Sequence, residues 1–384
     1  MSQLITRRQL LQAGSAAGLA AVLPSPGRAS TVQVEDLRVI TTQDHLYCGW
    51  PTLTRLKSGR LQVVWSGGRE AHVCPFGRVE TMHSDDGGLH WSWPRVLLDT
   101  ALDDRDAGIT ETAAGSLLVT TFTSLAYEPS LASAETKGGW DPARLRRWQA
   151  ARDRLDQSQR QAQLGTWMIR STDGGASWSP QFDCIVNSPH GPISLSNGRL
   201  LYAGKQLWKQ GNRIGVAESS NDGVDWKWLA EIPTRPGDQR EKYHELHAVE
   251  CASGRLIAHI RNHNSANSGE TLQSESTDGG RTWSVPRGIG VWGLPSHLLR
   301  LRDGRLLMSY GHRRPPFGNQ IRTSADEGKS WSEPLVISGD GNSGDLGYPS
   351  TVQTDANRFV TVWYELLKGS SRACLRQAIW ELRD

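Results

Sequence analysis

Six short segments of this 384-residue chain carry side chains able to do chemistry: Gly49-Trp50-Pro51, Asp104-Arg105-Asp106, His190-Gly191-Pro192, His244-Glu245-Leu246-His247, Leu294-Pro295-Ser296-His297 and Gly347-Tyr348-Pro349-Ser350. Imidazoles titrate near neutrality and can move protons. Guanidinium forks hold carboxylates bidentately, which lysine cannot copy. A phenol or a carboxyl group becomes acid, base or nucleophile once a neighbour tunes it. Taken singly, each residue reads as ordinary packing or as a hydrogen-bonded rim group. Converged on one axis, they would form an anion-binding or catalytic centre.

A repeat in the sequence predicts such convergence. Five turns read Ser84-Asp85-Asp86-Gly87-Gly88-Leu89-His90-Trp91, Ser171-Thr172-Asp173-Gly174-Gly175-Ala176-Ser177-Trp178, Ser220-Asn221-Asp222-Gly223-Val224-Asp225-Trp226, Ser276-Thr277-Asp278-Gly279-Gly280-Arg281-Thr282-Trp283 and Ser324-Ala325-Asp326-Glu327-Gly328-Lys329-Ser330-Trp331, the third one residue short. In each, Asp closes an Asx-type turn, Gly supplies a positive φ, and Trp gives a large apolar face between neighbouring units. Asp86, Asp173, Asp222, Asp278 and Asp326 are therefore expected to be turn locks rather than catalytic acids. The last four tryptophans are spaced by about 48, 57 and 48 residues, the length of a four-stranded propeller blade. A paired-strand pattern opens each unit: Leu53–Trp65, Ile109–Phe122, Ile193–Ala203, Ala248–Ile260, Leu298–Tyr310 and Thr351–Tyr364. Val32–Ile40 is a spare strand at the other end, and a ring must close, so it is expected to complete the last unit. The fold class is all-β: a six-bladed β-propeller over residues 30–384 with Asp-box turns. Residues 128–164 hold Asp141-Pro142, an arginine-rich run, and Leu145, Trp148 and Leu155 near helical spacing, which predicts one helical insertion.

At the N-terminus, Thr6-Arg7-Arg8-Gln9-Leu10-Leu11 precedes the small, apolar stretch Ala13–Leu23. Residues 1–29 are expected to be a twin-arginine signal peptide cut near Ala29, which predicts a periplasmic or secreted protein. Arg7, Arg8 and Arg28 supply all of the formal charge of +3, so the mature chain is near neutral and lacks the basic footprint of a nucleic-acid binder. No segment after the leader is long and apolar enough to span a membrane. Five cysteines (Cys48, Cys74, Cys184, Cys251, Cys374) without a paired C-x-x-C motif exclude a zinc-ribbon reading and a disulfide framework; buried free thiols are expected, with Cys48–Cys74 the one conceivable bridge. The histidines lack zincin spacing, so neither a metal nor another cofactor is expected.

Two further segments carry a family resemblance. Glu245-Leu246-His247-Ala248-Val249-Glu250 followed by Ile260-Arg261-Asn262, and Gly347-Tyr348-Pro349-Ser350 followed by Trp363-Tyr364-Glu365, resemble the sialidase (neuraminidase) superfamily of Asp-box propellers over roughly residues 36–382. The resemblance implies that Tyr348 is the nucleophile, Glu245 its base, Arg261 the second arginine for the substrate carboxylate, Glu365 a supporting carboxylate, and Arg313 or Arg314 the third arginine. The partner it implies is a glycan ending in an acidic sugar, cleaved by an exo-acting glycosidase. A neutral phenol suits that substrate, because an anionic nucleophile would meet the like charge of the sugar's carboxylate; sialidases with a Tyr nucleophile depart from the two-carboxylate scheme. The pattern breaks twice. Gly49-Trp50-Pro51 stands where the family's first arginine precedes Ile-Pro, so that arginine is absent, and Arg69 is followed by Glu70-Ala71-His72 without the usual acid aspartate. Arg105 and Asp106 are candidates to replace that charge and that acid, His72 is a second candidate acid, and Arg69, His190, His247 and His297 are candidate substrate ligands. Two other functions fit the same residues: a polysaccharide lyase using Tyr/His proton abstraction from a uronate, and a carbohydrate-binding propeller without catalysis. The oligomeric state has no sequence signal.

Overall fold

The computed structural model describes residues 30–41, 43–208 and 211–384; the leader expected over 1–29 lies outside the described residues. Among the described residues the strands form six four-stranded antiparallel sheets, five of them simple meanders from inner to outer strand. The innermost strands are Tyr47–Arg55, Asp103–Glu111, Ile193–Ser194, Tyr243–Glu250, Ser296–Arg300 and Leu346–Gln353. The sixth sheet closes the ring. Thr31–Val39 pairs antiparallel with Ala373–Arg383, Thr31 opposite Arg383, so the first and last described strands share one blade, as the spare strand predicts. That pairing covers an edge that would otherwise expose a row of unpaired backbone groups.

Core residues collect between neighbouring blades. One cluster joins Trp50, Leu53 and Trp65 of the first blade to Val360, Val362 and Leu375 of the last; another joins Leu201 and Val216 to Ala258 and Leu272. The Asp-box tryptophans sit at these seams: Trp91 bonds Gln377 of the preceding blade through its indole N–H at 2.8 Å, and Trp331 reaches Gln273 at 3.2 Å. Within a box, Ser171 Oγ donates to Asp173 Oδ1 at 2.7 Å while that oxygen accepts the Ser177 backbone N–H at 2.9 Å.

The third box corrects the sequence reading. Ser219 Oγ donates to Asn221 Oδ1 at 2.9 Å, and Asn221 Oδ1 accepts the Asp225 N–H at 3.0 Å. The copy is therefore of full length, begins at Ser219, and uses Asn221 as its lock. Asp222 turns instead to the second blade, where it accepts from Ser116 Oγ at 2.6 Å and pairs with Arg170.

Three helices, Glu128–Lys137, Pro142–Arg152 and Gln157–Ala162, fill the insertion in the second blade. Asp141 caps the middle one by accepting the N–H groups of Ala143 and Arg144, and Pro142 takes the first helical position, where a missing N–H costs nothing. Trp148 and Leu131 pack with Cys74 and Tyr127, and Glu70 accepts from Trp148 Nε1 and Arg147 Nε, both at 2.9 Å. The insertion thereby fixes the first-blade loop that carries His72. All five cysteines are free thiols. Among the described residues no helix is long and apolar enough to cross a membrane.

Candidate active site

Four innermost strands break their regularity at the same place. Trp50, Asp106, Glu245 and Tyr348 have φ of 54°, 52°, 39° and 54°, a left-handed conformation that costs a non-glycine residue about 1 kcal/mol or more. Each lies within a register shift of its strand pair: between Gly49 and Thr52, Arg105 and Gly108, His244 and Leu246, and Gly347 and Ser350. A bulge bends the strand and re-aims one side chain. Here it does so on four blades, and the re-aimed groups meet at the hub of the ring.

Tyr348 Oη donates to Glu245 Oε1 at 2.5 Å, and Arg261 Nη1 donates to Tyr348 Oη at 3.0 Å and also binds Glu245 Oε2. Arg261 Nε lies 2.7 Å from His263 Nε2. Burial pushes the Tyr348 phenol up, and the Glu245 carboxylate adds to the shift. Burial also opposes the charge on Glu245, but Arg261 and the Tyr348 hydrogen bond outweigh it and hold that carboxyl below its usual range. The proton of this pair therefore rests on the phenol. Asp106, 7% exposed, borders the same small cavity as Glu245, His244 and Lys205. Burial and the nearby Glu245 carboxylate raise it to about 7, so it keeps its proton where Glu245 has lost one. Two carboxyls with such divided protonation are suited to separate acid and base roles.

Two guanidinium groups stand against the Trp50 ring, Arg105 at 4.4 Å and Arg69 at 4.9 Å from its centre. Arg105 has no ion pair among the described residues, and its buried Nε lacks a partner. Arg313 is similar: its Cζ stands 5.4 Å from the Tyr348 ring, its Nη2 is 3.5 Å from Tyr364 Oη, and its Nε is unpaired. Arg105, Arg261 and Arg313 thus surround Tyr348 and Trp50, and two of the three have no carboxylate of their own. His72 stands beside them, with Nδ1 3.0 Å from Asp345 Oδ1 and 2.8 Å from the Tyr47 hydroxyl. Asp345 also accepts from Tyr364 Oη at 3.1 Å. Burial opposes the Asp345 charge, but the bonds from His72, Tyr47 and Tyr364 outweigh it and keep the carboxyl below its usual range.

Several residues expected at the site stand elsewhere. Arg69 is fully buried, with both Nη groups on Asp103 at 2.5 and 3.0 Å, and has no face left for a substrate. Arg314 turns outward to stack at 4.3 Å on Trp292 of the fourth blade's outer strand, because consecutive residues of the loop diverge. Glu365 holds Arg376 Nη1 at 3.0 Å and Trp363 Nε1 at 2.8 Å; it follows Tyr364, whose ring faces the hub, and strand neighbours point to opposite faces. His190, His247 and His297 do come together, with ring centres 4.6–5.2 Å apart, but farther along the axis than Glu245. The groups missed were Asp345, Tyr47, Tyr364, Lys205 and His263, which enter through tertiary contact alone. Trp50 had a signal: Gly-Trp-Pro repeats the Gly-Tyr-Pro around Tyr348.

The family model for the BNR repeat-like domain matches residues 146–360. The chain belongs to that family. No curated protein matches its sequence. Among solved structures, a protein of unknown function from Dyadobacter fermentans is 23% identical, with a TM-score of 0.72 over 92% of this chain and 99% of that one. The NanB sialidase of Streptococcus pneumoniae is 14% identical, with a TM-score of 0.62 over 92% of this chain and 70% of its own. The intramolecular trans-sialidase of Ruminococcus gnavus is 13% identical, with a TM-score of 0.62 over 88% of this chain and 94% of its own. This BNR-family chain has the six-bladed fold of sialidases, as its repeats and the resemblance predict.

Proposed function

We propose that the hub is the active site of an exo-acting glycoside hydrolase that removes a terminal acidic sugar and uses Tyr348 as nucleophile. The observation that carries this reading is the 2.5 Å hydrogen bond from Tyr348 to Glu245, with Arg261 bonded to both. As the phenol oxygen closes on the anomeric carbon, its proton passes to Glu245, so the nucleophile stays neutral until bond formation begins. Arg261, bonded to both, stabilises the negative charge as it shifts from the Glu245 carboxylate toward the phenol oxygen. Asp106 gives its proton to the departing oxygen and, once deprotonated, draws a proton from the water that cleaves the tyrosyl intermediate, while Glu245 returns its proton to the leaving phenol oxygen; the anomeric configuration is retained. Arg313 and Arg105 hold the sugar's carboxylate from two sides. An acidic sugar is favoured because these two guanidinium groups have no carboxylate partner beside the nucleophile and their Nε atoms are unpaired. The Ruminococcus gnavus relative was crystallised with oseltamivir carboxylate, itself a carboxylate ligand.

A fluorogenic α-sialoside and a matching uronide test this reading. Wild type is expected to turn over one of them, and Tyr348→Phe to lose about 100-fold or more of kcat; turnover unaffected by that substitution removes the mechanism. A second reading, a polysaccharide lyase, draws on His72, whose Nδ1 is fixed by Asp345 and Tyr47 and whose ring is half exposed. An unsaturated uronate product, seen by its ultraviolet absorbance, separates lyase from hydrolase. Export through the twin-arginine leader is part of the proposal, and fractionation of wild type against an Arg7→Lys, Arg8→Lys double variant checks it.

A further inference from the structure

A second cavity opens on the axis beyond the catalytic layer. It has a volume of about 370 Å³ and is lined by the innermost strands of all six blades, through Thr52 and Arg55, Ile109, Ile193, Leu298, Val352 and their neighbours. The four strands that reach the hub contribute residues that follow their hub groups: Leu53 to Arg55 after Trp50, Ile109 and Thr110 after Asp106, His247 after Glu245, and Thr351 to Gln353 after Tyr348. At roughly 3.3 Å per residue, its mouth faces the opposite side of the ring. His190, His247 and His297 form its inner end and are 3%, 5% and 7% exposed.

These three imidazoles are incompletely paired. Both ring nitrogens of His190 and Nδ1 of His297 are buried without a hydrogen-bond partner. Such groups cost free energy unless something meets them. The backbone N–H of Leu298 donates to His247 Nδ1 at 2.9 Å, so that nitrogen carries no proton and Nε2 of the neutral ring must carry it. His247 therefore offers a donor rather than a lone pair, which counts against a metal; among the described residues no group of three ligating side chains is placed to hold one. Arg55, Arg300 and Arg302 stand at the mouth and have no ion pair among the described residues. Arg300 Nη1 and Arg302 Nη2 donate only to backbone carbonyls, of Cys251 at 3.0 Å and Thr354 at 2.9 Å. Imidazole N–H at the inner end, three uncompensated guanidinium groups at the mouth and an aliphatic wall between them suit one chemistry, and the volume is that of a small-molecule pocket.

We propose that this axial cavity is a second ligand site, separate from the hub, that binds a small organic anion with carboxylate groups. One carboxylate meets the histidine N–H groups, the carbon skeleton packs on Ile109, Ile193 and Leu298, and a further carboxylate pairs with the mouth arginines.

Citrate is the probe, titrated calorimetrically into the full-length mature protein. One saturable site is expected. Arg55→Ala and Arg300→Ala leave the buried structure untouched, and each is expected to weaken citrate by about ten-fold, the loss of one charge-assisted contact. His190→Phe, checked for an unaltered melting transition, is expected to weaken it further. The hub variant Arg313→Gln is expected to bind citrate like wild type. Absence of saturation, wild-type affinity in the Arg55 and Arg300 variants, or loss of citrate in the Arg313 variant each overturns the proposal, the last by placing the anion at the hub.

Discussion

At the scale of single residues, the proposed chemistry rests on two carboxyls in different protonation states. Glu245 is held ionised by Arg261, while Asp106 is raised to about 7 by burial and by Glu245 itself. A general acid with that value is lost as pH rises through about 7, so kcat/KM is expected to decline on the alkaline side. Asp106→Asn is expected to abolish that limb and to slow substrates with alkyl leaving groups by about 100-fold or more. Aryl glycosides, whose leaving groups need little protonation, are expected to lose far less. Equal losses on both substrate types, read from pH–rate profiles, would assign the acid elsewhere, with His72 next to be examined.

At the scale of elements, the bulged inner strands need rigid backing. Arg69 of the first blade and Asp103 of the second are both inaccessible to solvent and bond through both Nη groups, joining two blades beneath Trp50. Removing one partner of a buried pair leaves the other charge unsatisfied, at a cost of about 3–5 kcal/mol. Arg69→Ala is therefore expected to lower the denaturant midpoint markedly, and Arg69→Lys to recover little, since a lysine cannot reproduce the forked contact. A midpoint within error of wild type would show that the pair is dispensable. The closing strand makes a similar demand: a chain starting at residue 41 is expected to aggregate, because Ala373–Arg383 then becomes an exposed edge. Solubility and a melting scan check this.

At the scale of the whole molecule, stability is tied to acid pH through histidine burial. Burial lowers His190 and His247 well below their ordinary range, His259 and His297 to about 3, and His244 and His263 to about 4. The folded chain keeps these rings neutral, while the unfolded chain protonates them below about 6.5. Their contribution is complete above that pH and drains away as pH falls toward the folded values, at up to about 1.4 kcal/mol per ring and pH unit. Asp104 and Asp106, raised by burial to about 8 and about 7, and Glu80, also raised by burial, act in the opposite direction, but these three carboxyls are set against six imidazoles. The melting temperature is therefore expected to fall steeply between pH 6.5 and 5; a constant value across that range would contradict the burial of these rings.

The sequence by itself determined the ring. Asp-box turns and strand pairs are local patterns, in which Ser, Asp and Gly hydrogen-bond within a few residues, so the six blades, the closing N-terminal strand and the helices near Trp148 were legible without coordinates. Even there, the third box shows a limit, because Asn221 and Asp222 are both able to lock a turn and only the backbone chose between them. Tertiary structure decided the site. Whether Tyr348 meets Glu245 depends on bulges that re-aim side chains across a hub, and φ at those residues is set by packing of several blades at once. Partnering is likewise non-local: Arg69, Arg105 and Arg313 are alike in sequence, yet Asp103 neutralises the first and the other two have no carboxylate partner among the described residues. Glu365 looked like a site residue from its place after Trp363 and Tyr364, and strand alternation turned it away.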